Sequence, residues 1–325
     1  MHAVLKLLAL KLMAIFVLTP TLCWAQPSRK GDLTPSTPIE IYQNAQRAFT
    51  EKRIADGFQL LELAAQRGVL GARIEVARMY AKGDVVPRDD AKAFHYYKRI
   101  ANDYADVDRR HALAQFVAEA FRMTATYLRN GIKSIDLRPN PVEASRLMLQ
   151  SAGIYHEREA QYELATMFLN GEGVEKNPTI AIAWLVNSAR KRYAPAQAVY
   201  GDMLWNGKDV KLAPVKGLAL IALALDNADD DQREFVLPFY ANATGEADKE
   251  TILQAEEALQ TIYKALRVRP DGPPLRIEQL PDAGKDMVMK DAGTGEMTSE
   301  RAPVNTSPPA SGGQGFGLDQ QQPAK

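Results

Sequence analysis

The sequence predicts an all-α protein, a right-handed α-solenoid of helix-turn-helix repeats. Three observations carry that prediction. A helical pattern closed by glycine recurs four times, small residues stand at fixed offsets before each of those glycines, and a second small-residue pattern runs between them at nearly constant spacing. Internal periodicity of this length is the signature of stacked supersecondary units.

The first helix of each unit ends in Met79-Tyr80-Ala81-Lys82-Gly83, Tyr127-Leu128-Arg129-Asn130-Gly131, Met167-Phe168-Leu169-Asn170-Gly171 or Met203-Leu204-Trp205-Asn206-Gly207. Six residues before the glycines stand Ala77, Ala125, Ala165 and Gly201, and five earlier Ala72, Ala120, Ala160 and Ala196. Small side chains at these positions let two helix backbones approach, while larger neighbours such as Tyr80, Phe168 and Leu204 fill the space beside them. The closing glycine supplies the left-handed conformation that ends the helix.

The second helix repeats through Gly57, Ala93, Ala144, Ala181 and Gly217, with Ala65, Ala101, Ala152, Ala189 and Leu225 eight residues later. The starts are spaced by 36, 51, 37 and 36 residues, the long interval reflecting insertions around Asn102 to His111 and Ser134 to Asn140. Asn140-Pro141, Asn177-Pro178 and Ala213-Pro214 open second helices with proline, whose missing N–H costs nothing in the first turn. Asp89 or Asp90 caps the first full copy. A lone hairpin of this kind leaves apolar surface exposed, so four to five units must stack. The stretch Glu250 to Leu266 carries Ile252, Ala255, Leu259, Ile262 and Leu266 on one stripe and fits a terminal cap.

The ends differ in composition. Lys6 and Lys11 precede an apolar run from Leu12 to Leu18, followed by Thr19-Pro20-Thr21 and then small residues up to Ala25. Residues 1–25 are therefore read as a cleavable signal peptide, which implies a periplasmic protein. An uncleaved anchor, or a lipid on Cys23, stays an open alternative. Residues 26–37 form a linker, 38–267 the solenoid, and 268–325 a Pro/Gly-rich tail. That tail holds eight prolines, eight glycines and the single aromatic Phe316, too little apolar surface to fold, and it is expected to be disordered.

Leaving out the leader and the tail, the body carries 32 charges of each sign. A neutral body lacks the basic footprint that nucleic acid or an anionic membrane requires. With Cys23 removed the chain has no cysteine, so packing alone must stabilise it. His95, His111 and His156 are isolated in sequence, and each is expected to be surface or core filler; His156-Glu157-Arg158-Glu159-Ala160 lacks the second histidine of a zinc helix. No enzyme, metal or cofactor is expected. A hydrolase would need clustered catalytic groups.

Small residue, aromatic, G-x-G-V, acidic turn, K-A and then A-A-x-x-G form a pattern that resembles Sel1-like repeats, relatives of tetratricopeptide repeats. Leu164 to Val174 is its best copy. The order of units, from Pro38 to Arg233, resembles the ExoR family of periplasmic exopolysaccharide regulators. It departs at Asp84-Val85, at Lys208-Asp209 and in the long tail. That resemblance implies a regulator that binds the periplasmic domain of a sensor histidine kinase, restrains it and controls exopolysaccharide production. The alternatives are a structural scaffold of a polysaccharide secretion complex and a repeat-fold hydrolase.

In a solenoid the first helices line the face that a partner segment enters. Residues one position beyond the small residues, Arg78, Thr126, Thr166 and Asp202, are expected to be free of core duty. Arg78, Lys82, Arg122, Arg129, Tyr162, Asp202 and Trp205 are the candidate groove residues. Trp184 is expected in the core. Replacing Trp205 or Tyr162 by alanine is expected to weaken partner binding while leaving stability nearly unchanged.

Overall fold

The computed structural model describes residues 37–266, with side chains as far as Tyr263. The expected signal peptide over 1–25, nearly all of the linker and the expected disordered tail lie outside the described residues.

Twelve α-helices occur among the described residues, and the first ten pair into five hairpins. α1 (Pro38–Thr50) pairs with α2 (Ile54–Gln66), and α3 (Leu70–Lys82) with α4 (Asp90–Asp103). Next come α5 (Ala114–Asn130) with α6 (Pro141–Leu149), then α7 (Arg158–Asn170) with α8 (Pro178–Arg190). α9 (Ala194–Asn206) with α10 (Pro214–Asn227) is the fifth pair, and α11 (Asp230–Glu246) and α12 (Lys249–Leu266) follow it. From α1 to α11 each helix packs on the next, and at the end of the series α9 also touches α11 and α10 touches α12. This is the expected solenoid, with one helix more than the repeat pattern revealed. The stretch 250–266 lies in α12, which packs on α10; the added helix, α11, carries an internal Pro238 that hides its helical character in the sequence.

The signals that start and stop the helices are local. Gly83, Gly171 and Gly207 take φ of 78°, 72° and 67° at the ends of first helices. Asp89, Asn140 and Asn177 accept hydrogen bonds from the backbone N–H three residues on, at 2.9, 3.1 and 3.1 Å. The two asparagines thus cap the helices that their prolines open. The first insertion is a loop between α4 and α5. The second holds a short 3-10 turn, Lys133–Ile135, inside an isolated bridge between Ile132 and Leu137, and no strand occurs among the described residues. α6 runs directly into a π-helical turn, Gln150–Ile154, which the sequence pattern did not reveal.

The small residues lie where helices touch. Ala72, Ala77, Ala120, Ala125, Ala160, Ala165 and Ala196 have no exposed surface, nor do Ala93, Ala144 and Ala181 on the second helices. In the α9–α10 hairpin glycine takes both positions. A Cβ on Gly217 would meet the backbone O of Gly201 and N of Trp205 at 2.7 Å each, closer than carbon can approach. Apolar side chains fill the rest in two contiguous clusters, one from Ile41 to Met167 and one from Tyr162 to Tyr263, with Phe168 and Trp184 packed against both.

One polar device joins consecutive units. Arg73 Nε donates to the carbonyl of Ala65 at 3.1 Å, Gln161 Nε2 to that of Ala152 at 3.2 Å, and Gln197 Nε2 to that of Ala189 at 3.0 Å. Each donor follows a small first-helix residue, and each acceptor is a repeating alanine near the end of the preceding second helix or of the turn that prolongs it. Ala65 and Ala189 also accept from the backbone N–H of Gly68 and Arg192 in the turns that follow, at 3.1 and 2.9 Å. A carbonyl near a helix end has a lone pair to spare, and here a buried side chain from the next unit takes it and ties the units together.

Candidate functional site

Polar side chains tie α1 to α3, α3 to α5, α5 to α7 and its flanking residues, and α9 to α11. Tyr42 of α1 donates to Glu75 of α3 at 2.6 Å, joined by Gln46 at 2.8 Å. Arg78 of α3 donates through Nε to Glu119 of α5 at 2.8 Å. Arg122 of α5 donates to Glu157, just before α7, at 2.9 Å, and its Nη1 lies 3.8 Å from Glu163 of α7. Thr126 donates to the same Glu163 at 2.8 Å, and Arg129 to Glu172 at 2.7 Å. Farther on, the indole N–H of Trp205 in α9 donates to Glu246 of α11 at 3.2 Å.

Four of the candidate groove residues, Arg78, Arg122, Arg129 and Trp205, are thus bonds between repeats. Arg78 keeps about half of its side-chain surface, whereas Arg122 and Arg129 keep 16 % and 6 %. Lys82 is open to solvent beside Asp84. Asp202 is half-buried and held by Asn206, and burial pushes its carboxyl above the ordinary aspartate range. Tyr162 is a correction to the expected groove: it is 2 % exposed, its ring edge-on to Tyr193 and Phe235. Thr126 and Thr166, each 1 % exposed, likewise are not free of core duty. Trp184, expected in the core, is half-buried where the two apolar clusters meet.

Arg122, Glu157 and Glu163 form the most heavily charged buried group. Burial pushes Glu157 up despite Arg122, and pushes Glu163 up to about 7 against the opposing pull of Arg122, Thr126 and Arg129. The Ser151 hydroxyl lies 2.7 Å from Glu157 and 3.0 Å from the Ala118 carbonyl, so the π-helical turn brings one more polar group to the cluster. Sequence reasoning missed the acids that complete these ties. One signal was available: Glu75 and Glu163 both stand two residues before the small residue of their helix, and both accept from the preceding first helix.

A cavity of about 780 Å³ opens along this face, walled by α3, α5 and the start of α7. Arg78, Arg122, Glu119 and Glu157 line it, and so do Arg109 and His111 from the first insertion. Three consecutive first helices and an insertion thus share one concavity, as a partner-binding solenoid requires. Among the described residues no group of three or more His, Cys, Asp or Glu side chains could hold a metal ion.

These features define a helical-repeat protein of the Sel1 class. The Sel1 repeat family matches residues 71–103, 158–193 and 194–229, which cover α3–α4, α7–α8 and α9–α10. Over 243 residues the chain is 31% identical to an exopolysaccharide production negative regulator of Rhizobium leguminosarum bv. viciae, covering 74% of this chain and 88% of that relative. A protein of the same description from Rhizobium meliloti (strain 1021) is 29% identical over 63% of this chain and 75% of its own length. The chain belongs to this family of exopolysaccharide production negative regulators. A solved Sel1 repeat protein from Oxalobacter formigenes superposes with a TM-score of 0.49 at 17% identity, over 69% of this chain and 88% of that one.

Proposed function

We propose that this protein is an exported regulator that binds the extracytoplasmic sensing domain of a membrane histidine kinase and holds it inactive, limiting exopolysaccharide output. One observation carries the reading: 31% identity, across 88% of its length, to a relative described as a negative regulator of exopolysaccharide production. The fold supports a protein partner, because stacked hairpins offer an extended face of first helices rather than an enclosed reaction site. The leader read at residues 1–25 supports a periplasmic location.

Crosslinking in intact cells followed by identification of the captured protein tests the proposal. Capture of a sensor kinase, with exopolysaccharide rising on deletion of this chain, is the expected result. Capture of a secretion porin with no such rise overturns it in favour of a scaffold in the secretion complex.

A further inference from the structure

Four guanidiniums and three carboxylates line the cavity along α3, α5 and α7, and three of the guanidiniums hydrogen-bond a lining carboxylate. Glu119 is held by Arg78, Glu157 by Arg122 and Glu159 by Arg158 at 2.8 Å. The fourth guanidinium lining it, Arg109, comes from the loop between α4 and α5 and meets a ring rather than an acid, with Nη1 2.9 Å from Nε2 of His156. Its neighbour in sequence, Asp108, is engaged by Arg110. Arginine can only donate, so His156 accepts through Nε2 and most of the five N–H groups of Arg109 stay available. On the same wall the backbone N–H of Leu113 donates to Nδ1 of His111 at 3.1 Å, which leaves the neutral His111 ring its proton on Nε2. The loop side of the cavity is therefore rich in donors.

We propose that this cavity recognises a single carboxylate, the side chain of an acidic residue in a peptide segment of the partner, gripped by Arg109 with His111 beside it. The proposal rests on the reading that the partner is a protein. One guanidinium that hydrogen-bonds a ring and no carboxylate matches one incoming carboxylate, whereas a doubly charged phosphate would meet the fields of Glu119, Glu157 and Glu159. A volume of about 780 Å³ is far more than an isolated acid group fills and suits a short peptide stretch. A sugar acid fits less well, since a pyranose stacks on an open aromatic face. The Tyr155 ring is instead stacked on Phe121 at 5.9 Å, and its hydroxyl lies 3.3 and 3.2 Å from the carbonyls of Ala105 and Val107.

The test is an NMR titration of the isotopically labelled full chain with a short Gly/Ser/Ala peptide bearing one central Glu, with its Gln counterpart, and with a glucuronate disaccharide. The Glu peptide is expected to shift the side-chain signals of Arg109 and His111 and to bind about tenfold more tightly than the Gln peptide. Arg109→Gln should abolish that preference without lowering thermal stability, and His111→Ala should reduce it. Equal binding of the Glu and Gln peptides, a preference that survives Arg109→Gln, or binding of the glucuronate in place of the peptide overturns the proposal. Capture of the kinase sensing domain, measured in parallel, separates the two readings. A chain that captures the domain without preferring the Glu peptide loses only this site, and one that prefers the Glu peptide without capturing the domain loses only the kinase reading.

Discussion

Nε of Arg122 lies 2.9 Å from a carboxylate oxygen of Glu157, and only 16 % and 14 % of the two side chains is exposed, so this pair ties α5 to the start of α7 from inside the face it helps to form. Arg122 also faces Glu163 and is thus the cation between two acids. Removing one partner of a nearly buried ion pair leaves an uncompensated charge, which costs about 3–5 kcal/mol. Arg122→Met is accordingly expected to destabilise the chain by that order in urea denaturation near neutral pH. Adding Glu163→Gln to it should restore part of the loss.

Glu163 makes stability depend on pH in a defined direction. Its carboxyl titrates at about 7 in the folded chain, against an ordinary value of 4.5, with burial as the main cause. Between those values the folded chain holds a proton that the unfolded chain has lost, so this group's contribution is fully present below pH 4.5 and is lost as pH rises through 7. The difference corresponds to at most about 3 kcal/mol. Glu163→Gln keeps a hydrogen-bonding side chain beside Thr126 and removes the titration. Its stability relative to the natural chain should therefore improve from about pH 4 to about pH 8 in parallel denaturation series, and a constant difference would refute the assignment.

Tyr162→Ala should act on folding rather than on binding. The ring is 2 % exposed between Tyr193 and Phe235, and truncating a buried aromatic costs about 3–5 kcal/mol. A thermal melt of the variant checks this. A melting temperature close to that of the natural chain would return Tyr162 to the groove.

Tyr162 also marks where the sequence stopped being informative. Ala72, Ala77, Ala160 and Ala165 were legible as contact positions because their spacing repeats and because helix backbones approach only where side chains are small. Periodicity within a helix reports the side that meets its own hairpin partner. It does not report what the neighbouring first helices cover. Thr126 and Thr166 were expected to face outward for that reason, yet both are 1 % exposed because each first helix is also flanked by other units. Arg122 was read as a groove residue for the same reason. Its partners Glu157 and Glu163 lie 35 and 41 residues away, a repeat length that becomes a contact only once the units stack.

The α9–α10 crossing gives a sharper test of packing than any alanine position. The Cβ of Gly217→Ala would fall 2.7 Å from two backbone atoms of α9, and backbone cannot yield as a flexible side chain can. The expected cost is about 1–3 kcal/mol from forced separation of the helices, offset in part by the better helix propensity of alanine. Gly245→Ala on α11 is the control, since its Cβ meets nothing within 4 Å and should be neutral or slightly stabilising. Equal melting temperatures for the two variants would mean that the crossing is looser than this geometry.

Trp205 separates the binding and packing readings of the first-helix face. The sequence expectation placed it in a groove, where truncation weakens partner binding and spares stability. In the structure the indole is half-buried against the second apolar cluster, and its N–H donates to Glu246 of α11 at 3.2 Å. Half-burial reduces the truncation cost below that of a fully buried aromatic, so Trp205→Ala should destabilise the chain by about 2 kcal/mol. Trp205→Phe keeps most of the packing and gives up only a hydrogen bond at an exposed site, at a cost of about 1 kcal/mol or less. Denaturation of both variants, with crosslinking yield in cells normalised to folded protein, reads the two effects separately. Graded loss of stability at constant normalised yield assigns Trp205 to joining α9 with α11. A fall in normalised yield for Trp205→Ala with stability unchanged would assign it to the partner instead.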